Sequence, residues 1–360
     1  MAKRRRKKTK DHYSGIGGQA VLEGIMMKNK DKYSVAVRTP EGDIDVVVEE
    51  YESFAPAKVL TTIPFVRGVF NFIDSLILGI RTLNYSASFY EEEPDRHKKE
   101  KLLDRIFRDN VDKVVSAISI ILSVAIALGL FVFAPYYLAQ LLNKHIVSDT
   151  ALALFEGILR VVIFVLYIVL ISCMKDIRRV FMYHGAEHKC INCIEKAYPL
   201  TVANVRKSSR EHKRCGTSFL FFVVFLSVIL FIFIRVSDPF ARIAIRILLI
   251  PVIASISYEI IRLAGRSNNI FVKIISAPGM WLQRLTTREP DDSMIEVAIA
   301  AVEAVFDWKQ FFIDEFGYDV DKEEENRKQE DNGLKEAEQE DAGLNDVRQE
   351  DFVGTQSDDL

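Results

Sequence analysis

The stretch VVSAISIILSVAIALGLFVFAPYYLAQLL, residues 114–142, decides the fold class of this chain. It runs for 29 residues without Asp, Glu, Lys or Arg. A helix of about 20 apolar residues crosses a hydrocarbon core of ~30 Å. Buried helices of soluble proteins are rarely as long and as uniformly apolar. The stretch therefore predicts a transmembrane helix.

Three further apolar stretches extend the pattern, at residues 151–174, 218–234 and 241–264. The last of them is mostly apolar but carries four charged side chains, Arg242, Arg246, Glu259 and Arg262. The chain as a whole has 360 residues, a net charge of -3 and 49% hydrophobic residues, which would also suit a soluble protein. The hydrophobicity is concentrated, however, so we expect an α-helical integral membrane protein with about four transmembrane helices in residues 114–264.

The distribution of basic residues predicts the orientation. Residues 3–10 contain seven Lys or Arg, and residues 175–217 contain ten against four Asp or Glu. The links at 143–150 and 235–240 have one basic residue each. Cytoplasmic loops are enriched in Lys and Arg. The alternation predicts a cell-membrane protein with both termini and the 175–217 loop in the cytoplasm, where its cysteines face reducing conditions.

The residues before the first span divide into an arm and a small β unit. Residues 1–16 read as a disordered basic arm that touches anionic lipid headgroups. Residues 17–58 form the predicted β unit. Within it, β-branched runs at 33–38 and 44–49 flank the turn sequence Thr-Pro-Glu-Gly-Asp, which predicts a β-hairpin.

Residues 59–90 have a helical pattern. One stripe along this segment is polar and consists of Arg67, Asn71, Asp74 and Arg81. The other side is apolar, which is typical of an interfacial helix or of a fifth membrane-embedded helix. The sequence leaves both alternatives open.

The residues after the last span carry two more expectations. In residues 265–317, the sequence Ser-Ala-Pro-Gly at 276–279 predicts a broken helix, and 291–316 predicts one amphipathic helix that Ser293 and Glu296 would cap. Residues 318–360 are acidic and repeat Gln-Glu-Asp every ten residues. So few of them are apolar that we predict a disordered tail.

The sharpest chemical motif is His184-Gly185-Ala186-Glu187-His188. It has the form H-x-x-E-H, in which two histidines bind Zn²⁺ and the glutamate acts as the general base. Residues four apart lie on the same face of a helix, so both imidazoles reach one ion. The alternative is a pair of ordinary interfacial histidines beside basic residues.

Three further residues are candidate metal ligands on the same side of the membrane. His212 and Cys215 are both competent zinc ligands and come directly before the third span. Glu259 lies near the predicted cytoplasmic end of the fourth span, and an ionisable residue inside an apolar span is a candidate for function. The alternative for Glu259 is a structural ion pair with an arginine.

Other polar residues carry weaker signals. Glu23, in the glycine-rich sequence 17–27, is a candidate base or ligand or an ordinary turn residue, and Arg67 is a candidate partner for a carboxylate. Cys190 and Cys193 have C-x-x-C spacing without a second pair, so buried thiols are favoured. Glu156 and Arg160, four residues apart in the second span, predict a buried ion pair.

These motifs resemble the YqhQ family, an uncharacterised bacterial group described as predicted metal-dependent membrane proteins. The matching segments are GGQAVLEGIMM (17–27), PFVRG (64–68), HGAEHK (184–189), LTVANVRK (200–207), HKRCGTSF (212–219), SYE (257–259) and APGMWLQRLTTREPDDSMIEVAIAA (277–301). The family's motif positions include His184, Glu187, His188, His212, Cys215, Glu259, Glu23 and Arg67. The resemblance implies a metal-dependent enzyme but brings no reaction with it.

Two functional hypotheses follow. In the first, His184, His188 and a third ligand bind a divalent metal, most simply zinc, and Glu187 activates a water molecule as in a hydrolase. In the second, the same ligands form a structural site in a membrane scaffold, metal sensor or transporter. The sequence predicts the lipid bilayer as partner and no nucleic acid, and it identifies neither a substrate nor a protein partner.

Overall fold

A computed structural model describes residues 12–90, 111–142, 148–234, 238–266 and 269–323, together with residues 236, 325 and 329. These residues are mostly helical and include one small antiparallel sheet. They divide into two compact units, Met1–Phe306 and Asp307–Leu360. Most of the predicted basic arm and of the predicted acidic tail lies outside the described residues.

The predicted β unit is a four-stranded meander in the order β1-β2-β3-β4. Its strands are β1 (Gly17–Val21), β2 (Gly24–Asn29), β3 (Lys32–Arg38) and β4 (Ile44–Glu50). The predicted hairpin is confirmed, since β3 pairs with β4 and Gly42 takes a φ of 100° in the turn. Side chains of β2 and β3 are buried in continuous runs because helices cover both faces of the sheet.

The helix α1 (Val66–Ser88) lies beside the sheet, and its polar stripe faces other parts of the protein. Asp74 accepts hydrogen bonds from Ser53 Oγ (2.6 Å) and from the Phe54 amide (2.8 Å). Asn71 Nδ2 donates to Tyr258 Oη at 2.9 Å. The opposite face of α1 leaves apolar side chains exposed: Leu76, Ile77, Ile80 and Leu83. Whether α1 is interfacial or membrane-embedded stays open, and both positions remain predictions.

Among the residues that the structure describes, three helices are long and apolar enough to cross a membrane: Ala117–Leu141, Thr150–Ile171 and Phe240–Gly265. They correspond to the first, second and fourth predicted spans. The first joins α2 (Val111–Leu128) through a π-helical turn to α3 (Ala134–Leu141), and the second is α4 (Asp149–Ile171). The last combines α8 (Pro239–Leu248) with α9 (Ile250–Arg266).

The third predicted span is a shorter helix, α7 (Gly216–Ile232), with 17 residues. At a rise of 1.5 Å per residue it measures about 25 Å, a few ångströms less than the hydrocarbon core. A bilayer accommodates a mismatch of that size by local thinning at modest cost. That α7 crosses a membrane therefore stays a prediction.

A buried cluster of charges joins three of these helices. Arg160 donates to Glu156 Oε1 at 2.7 Å, which confirms the predicted ion pair within α4. Arg246 of α8 makes two further bonds to the same carboxylate, at 2.7 and 2.8 Å. Arg160 also donates to Ser227 Oγ of α7 at 3.3 Å. Each charge has a hydrogen-bonded partner, as burial requires.

The remaining helices of the first unit are α5 (Lys175–Glu195), α6 (Val202–Lys207), α10 (Ile270–Thr286) and α11 (Asp292–Glu303). The break predicted at 276–279 is wrong, because α10 continues through Pro278. Pro278 lies on the exposed side of α10, where water can bind a backbone carbonyl that has no helical hydrogen bond.

The single helix predicted for 291–316 is also wrong. It is two helices, α11 and α12 (Trp308–Phe316), and α12 belongs to the second unit. The residue predicted to cap the N-terminus of this helix is wrong as well. Asp291, and not Ser293, caps α11 by accepting a hydrogen bond from the Met294 amide at 3.0 Å, and Glu296 forms an ion pair with Arg38 instead.

Candidate metal centre

The helix α5 carries the two histidines of the H-x-x-E-H motif on one face. Their ring centroids lie 4.4 Å apart. The middle of α5 packs tightly against the chain that follows α10, because a Cβ on Gly185 would lie 2.0 Å from the Arg288 carbonyl oxygen. Arg288 also donates its backbone N–H to the Phe181 carbonyl at 2.8 Å. Glycine at position 185 therefore brings the end of α10 next to the histidines.

Cys215 supplies the third candidate ligand atom. It is the N-cap residue of α7, and its Sγ accepts a hydrogen bond from the Thr217 amide at 3.3 Å. His184 Nε2 lies 3.1 Å from this sulfur. In the described part of the chain, His184, His188 and Cys215 form a group whose ligand atoms all lie within 4.8 Å of one another. Ligand atoms around a tetrahedral zinc ion lie about 3.3–3.6 Å apart, so small adjustments would complete the geometry.

Backbone carbonyls fix both imidazole rings. His184 Nδ1 donates to the Thr286 carbonyl at 2.9 Å, and His188 Nδ1 donates to the Arg210 carbonyl at 2.7 Å. The Thr286 carbonyl is available because it is one of the last four of α10, which have no helical partner. When Nδ1 carries the proton, the lone pair of each ring is on Nε2 and is available to a metal ion. This is the usual arrangement of zinc-binding histidines.

The charges in this group suit a cation. Burial would raise the pKa of Cys215, but His184 and His188 hold that pKa well below its ordinary value. Burial would lower the pKa of His184, but the neighbouring sulfur raises it to about 9. Without a metal, these opposite shifts of the two pKa values favour a thiolate beside an imidazolium. A metal ion replaces the proton in such a pair, so its binding becomes weaker as the pH falls.

Glu187 borders the same group and has an unpartnered oxygen. It is 5% exposed, and its Oε2 has no hydrogen-bond partner. Burial raises the pKa of this carboxyl group, and the Gly18 backbone N–H and the two histidines oppose the rise. A cavity of about 100 Å³ adjoins Glu187 and has room for a few water molecules. Its lining also includes Cys215 and three histidines: His184, His188 and His212.

The strand β1 closes one side of this cavity. Gly17 and Gly18 line it, and a Cβ on Gly18 would lie 3.1 Å from Glu187 Cδ and 2.5 Å from the Met26 carbonyl oxygen. Only glycine permits this approach of strand to helix. The sequence singles out the paired glycines as unusual but does not connect them with the histidines.

His212 lies beside the group but bonds elsewhere. Its ring centroid is 5.7 Å from that of His188, and its Nε2 is 3.4 Å from Glu195 Oε2. Glu195 also accepts hydrogen bonds from Arg214 and from the Ser14 hydroxyl (2.8 Å). Burial would raise the pKa of Glu195, but His212 and Arg214 lower it to about 2. His212 thus belongs to a buried ion network that adjoins the candidate centre.

The other predicted site carboxylates have arginine partners of their own. Glu259 accepts hydrogen bonds from Arg67 Nε (2.7 Å) and from the Phe65 amide (3.2 Å), and it is not part of the group. Arg67 therefore pairs with a carboxylate, as expected, and ties α1 to α9. Glu23 forms an ion pair with Arg179 of α5 at the turn between β1 and β2.

Cys190 and Cys193 are fully buried on α5 and lie outside the group. Burial raises the pKa of Cys190 well above its ordinary value and that of Cys193 to about 12. Both thiols are protonated and unreactive at neutral pH. The prediction of buried thiols at these positions is confirmed.

Sequence reasoning missed several residues that shape the centre. The backbone carbonyls of Thr286 and Arg210 accept hydrogen bonds from the two histidines. The sequence cannot indicate them, since every residue has a backbone carbonyl. Gln283, fully buried on α10, accepts from the His212 amide at 2.9 Å and donates to its carbonyl at 2.8 Å. No motif in the sequence distinguishes Gln283 from its polar neighbour Arg284, so this pair of hydrogen bonds could not be predicted.

Comparison with known proteins agrees with the resemblance noted above. A family model described as "Protein of unknown function (DUF1385)" matches residues 63–308, a range that includes His184, His188 and Cys215. The protein described as "Uncharacterized protein YqhQ" of Bacillus subtilis (strain 168) is 35% identical over 292 residues, covering 79% of this chain and 89% of the relative. No solved structure matches the chain. The predicted family is therefore confirmed, and the chain belongs to the YqhQ family of proteins of unknown function.

Proposed function

We propose that His184, His188 and Cys215 bind one Zn²⁺ ion and that the protein is a membrane-bound, metal-dependent hydrolase. The observation that carries the proposal is the convergence of three zinc-type ligand atoms within 4.8 Å beside a cavity that Glu187 lines. Nitrogen and sulfur are the ligand atoms that zinc prefers. Three protein ligands leave a fourth position open, which is typical of catalytic zinc sites.

The neighbouring groups suit hydrolysis. A bound zinc ion would act as a Lewis acid and would lower the pKa of a water molecule bound to it to about 7. Glu187 Oε2, which has no protein partner, accepts a proton from water in the cavity. The Gly18 N–H holds the other carboxylate oxygen and so orients the base. Glu187 then returns the proton to the leaving group of the substrate.

The alternative is a closed, structural metal site in a scaffold, sensor or transporter. One observation favours it: His188 is 1% and Cys215 6% exposed, so the centre is largely shielded from solvent. A structural site needs no base. The two proposals therefore differ in what Glu187 does.

The test measures metal content and cellular function together. We expect about one zinc per chain, by elemental mass spectrometry, in the detergent-purified full-length protein. His184→Ala/His188→Ala and Cys215→Ser should lose it. Glu187→Gln should keep the metal but fail to complement a deletion strain of a bacterium that carries the gene.

Glu259→Gln is the matched control, because it also removes one carboxylate but acts at the Arg67 ion pair. It should retain the metal. A metal-free, folded wild type that cannot be reconstituted would refute the metal centre. Full complementation by Glu187→Gln would refute the hydrolase and leave the structural site.

A further inference from the structure

Residues 12–16, which come directly before β1, form one wall of the cavity at the candidate metal centre. They lie outside the sheet, since the pairing of β1 begins at Gly17. Ile16 is 4% exposed and lines the cavity, whereas its neighbour Gly15 is exposed. This short segment therefore lies between the cavity and the surface of the protein. We call residues 12–16 the lid segment.

Polar contacts hold the lid segment in place. The Glu195 side chain accepts two hydrogen bonds from Ser14, one from its amide at 3.0 Å and one from its hydroxyl at 2.8 Å. The Glu195 carbonyl accepts a third from the His12 amide at 3.2 Å. The Arg214 guanidinium lies over the Tyr13 ring, 4.3 Å from its centroid. Arg214 lines the cavity and is itself paired with Glu195, so the lid segment is fastened to the surroundings of the candidate centre.

The cavity is too small for a substrate while the lid segment is in this position. Pockets that bind small molecules have volumes of about 300–1,000 Å³, whereas this cavity measures about 100 Å³. Three of the residues around it are almost completely buried: His188 (1%), Glu187 (5%) and Cys215 (6%). Hydrolysis of anything larger than a few atoms therefore requires that one wall of the cavity opens.

The lid segment is the wall that can move without breaking a regular element. The opposite walls belong to α5 and β1, and the His212 backbone is held by two hydrogen bonds to Gln283. In the lid segment, Ile16 is the one buried apolar side chain. Gly15 has a φ of 78°, and an added Cβ on Gly17 would have nothing within 4 Å. Both neighbours of Ile16 therefore permit backbone rotation, as the hinges of mobile lids require.

We propose that residues 12–16 are a lid over the candidate metal centre, which opens when Ser14 leaves Glu195 and Tyr13 leaves Arg214, and which then admits a substrate to the cavity. This inference rests on the proposed function, because a lid is needed only where a substrate enters. It adds a reversible closure that excludes bulk water during the reaction. Opening leaves α5 and the sheet intact.

The test measures how fast Cys215, which lines the cavity, reacts with iodoacetamide in the metal-free, detergent-purified full-length protein. Mass spectrometry of the digested protein follows each cysteine separately. Cys173 is exposed and serves as the internal reference, whereas Cys190 and Cys193 are fully buried and report unfolding of α5. In the wild type, we expect Cys215 to react slowly compared with Cys173 and the two buried cysteines to stay unmodified.

Loss of the lid contacts should accelerate the Cys215 reaction alone. We expect Tyr13→Ala/Ser14→Ala to raise its rate at least about tenfold, since a cation–π contact and a hydrogen bond to a carboxylate are both lost. Tyr13→Phe keeps the ring and should behave like the wild type. The matched control, Ser88→Ala/Tyr137→Ala, removes the same two side chains at exposed positions that do not line the cavity. It should leave the rate unchanged.

A single variant guards against misfolding of the double one. Tyr13→Ala removes a side chain that is 53% exposed, keeps both Ser14 bonds and should raise the rate by a smaller factor. The proposal is overturned if Cys215 of the wild type reacts as fast as Cys173, or if neither variant accelerates its reaction. It is also overturned if the buried cysteines of α5 are modified together with Cys215 in Tyr13→Ala, because access then comes from unfolding of α5.

The metal-free assay separates this inference from the proposed function. A wild type that binds no zinc would refute the metal centre, but the Cys215 rates would still show whether the lid opens. Stoichiometric zinc together with unchanged Cys215 rates in both variants would refute the lid alone.

Discussion

Glu195 is the residue that organises the surroundings of the candidate centre. Its carboxylate contacts His212 and Arg214, which lie in the segment before α7. It also accepts a hydrogen bond from Ser14, which lies shortly before β1. The ring of Tyr13 stacks on the Arg214 guanidinium at 4.3 Å, so the residues before β1 also pack against this ion network. One buried carboxylate thus holds in place both His212, beside the candidate metal ligands, and the residues that lead into β1.

The low pKa of Glu195 predicts a pH-dependent contribution to stability. It falls from an ordinary value of 4.5 to about 2, so the folded state holds the ionised form more strongly than the unfolded state does. The contribution is fully present above pH 4.5 and is lost as the pH falls towards 2. It corresponds to roughly 3 kcal/mol at neutral pH.

We therefore expect Glu195→Gln to be less stable than the wild type at pH 6 and the difference to narrow below pH 4.5. Thermal unfolding of metal-stripped protein at pH 6, 5, 4 and 3 measures it. A stability difference that is the same at all four pH values would contradict the assignment. Lys309→Gln, at an exposed ion pair with Asp321, controls for nonspecific charge effects.

At the residue scale, the site could be predicted only in part. The pairing of His184 with His188 follows from their spacing on a helix, whereas Cys215 was only one of three candidate third ligands. The choice among His212, Cys215 and Glu259 did not follow, because it depends on which arginine or carboxylate lies nearest in three dimensions. Glu259 forms an ion pair with Arg67, which lies on a helix far away in the sequence. No rule based on residue spacing predicts such a contact.

At the scale of elements, the contact between β1 and α5 shapes the cavity. A Cβ on Gly18 would approach both the backbone of β2 and the Glu187 side chain, whereas nothing lies within 4 Å of a Cβ on Gly17. Adjacent glycines therefore offer a matched pair of substitutions. Overpacking of this kind costs about 1–3 kcal/mol.

We expect Gly18→Ala to lower the melting temperature and to impair whatever function depends on Glu187, because β1 must move away from the carboxylate. Gly17→Ala should behave like the wild type in both respects. Thermal unfolding and complementation of a deletion strain are the measurements. Equal effects of the two substitutions would mean that the close approach of β1 is unimportant.

The elements themselves were predictable where one local signal dominated. The hairpin of β3 and β4 follows from two β-branched runs and a turn that contains Gly42. The continuity of α10 was not predictable from Pro278, since a proline on an exposed helix face is tolerated when the neighbouring packing holds the helix. The division of 291–316 into α11 and α12 could not be predicted either, because both halves have helical patterns.

For the whole molecule, the proposed orientation makes a direct prediction. Ser148 precedes α4 in a predicted external link, and Lys207 ends α6 in the predicted cytoplasmic loop. In intact cells, a membrane-impermeant maleimide should label Ser148→Cys but not Lys207→Cys. Permeabilised cells should show labelling of Lys207→Cys above the wild-type background. The reverse pattern would invert the topology.

The order in which the chain is made affects the candidate centre. His188 and Thr286, whose carbonyl anchors His184, are about a hundred residues apart, and α6 to α9 come between them. At a synthesis rate of about 5–20 residues per second, the anchor follows the histidine by roughly 5–20 s. A nascent chain therefore presents its imidazoles and thiol before the carbonyl that orients His184 exists. The orientation of His184 is therefore fixed only after α10 has been synthesised, which makes the candidate centre one of the later parts of the first unit to be completed.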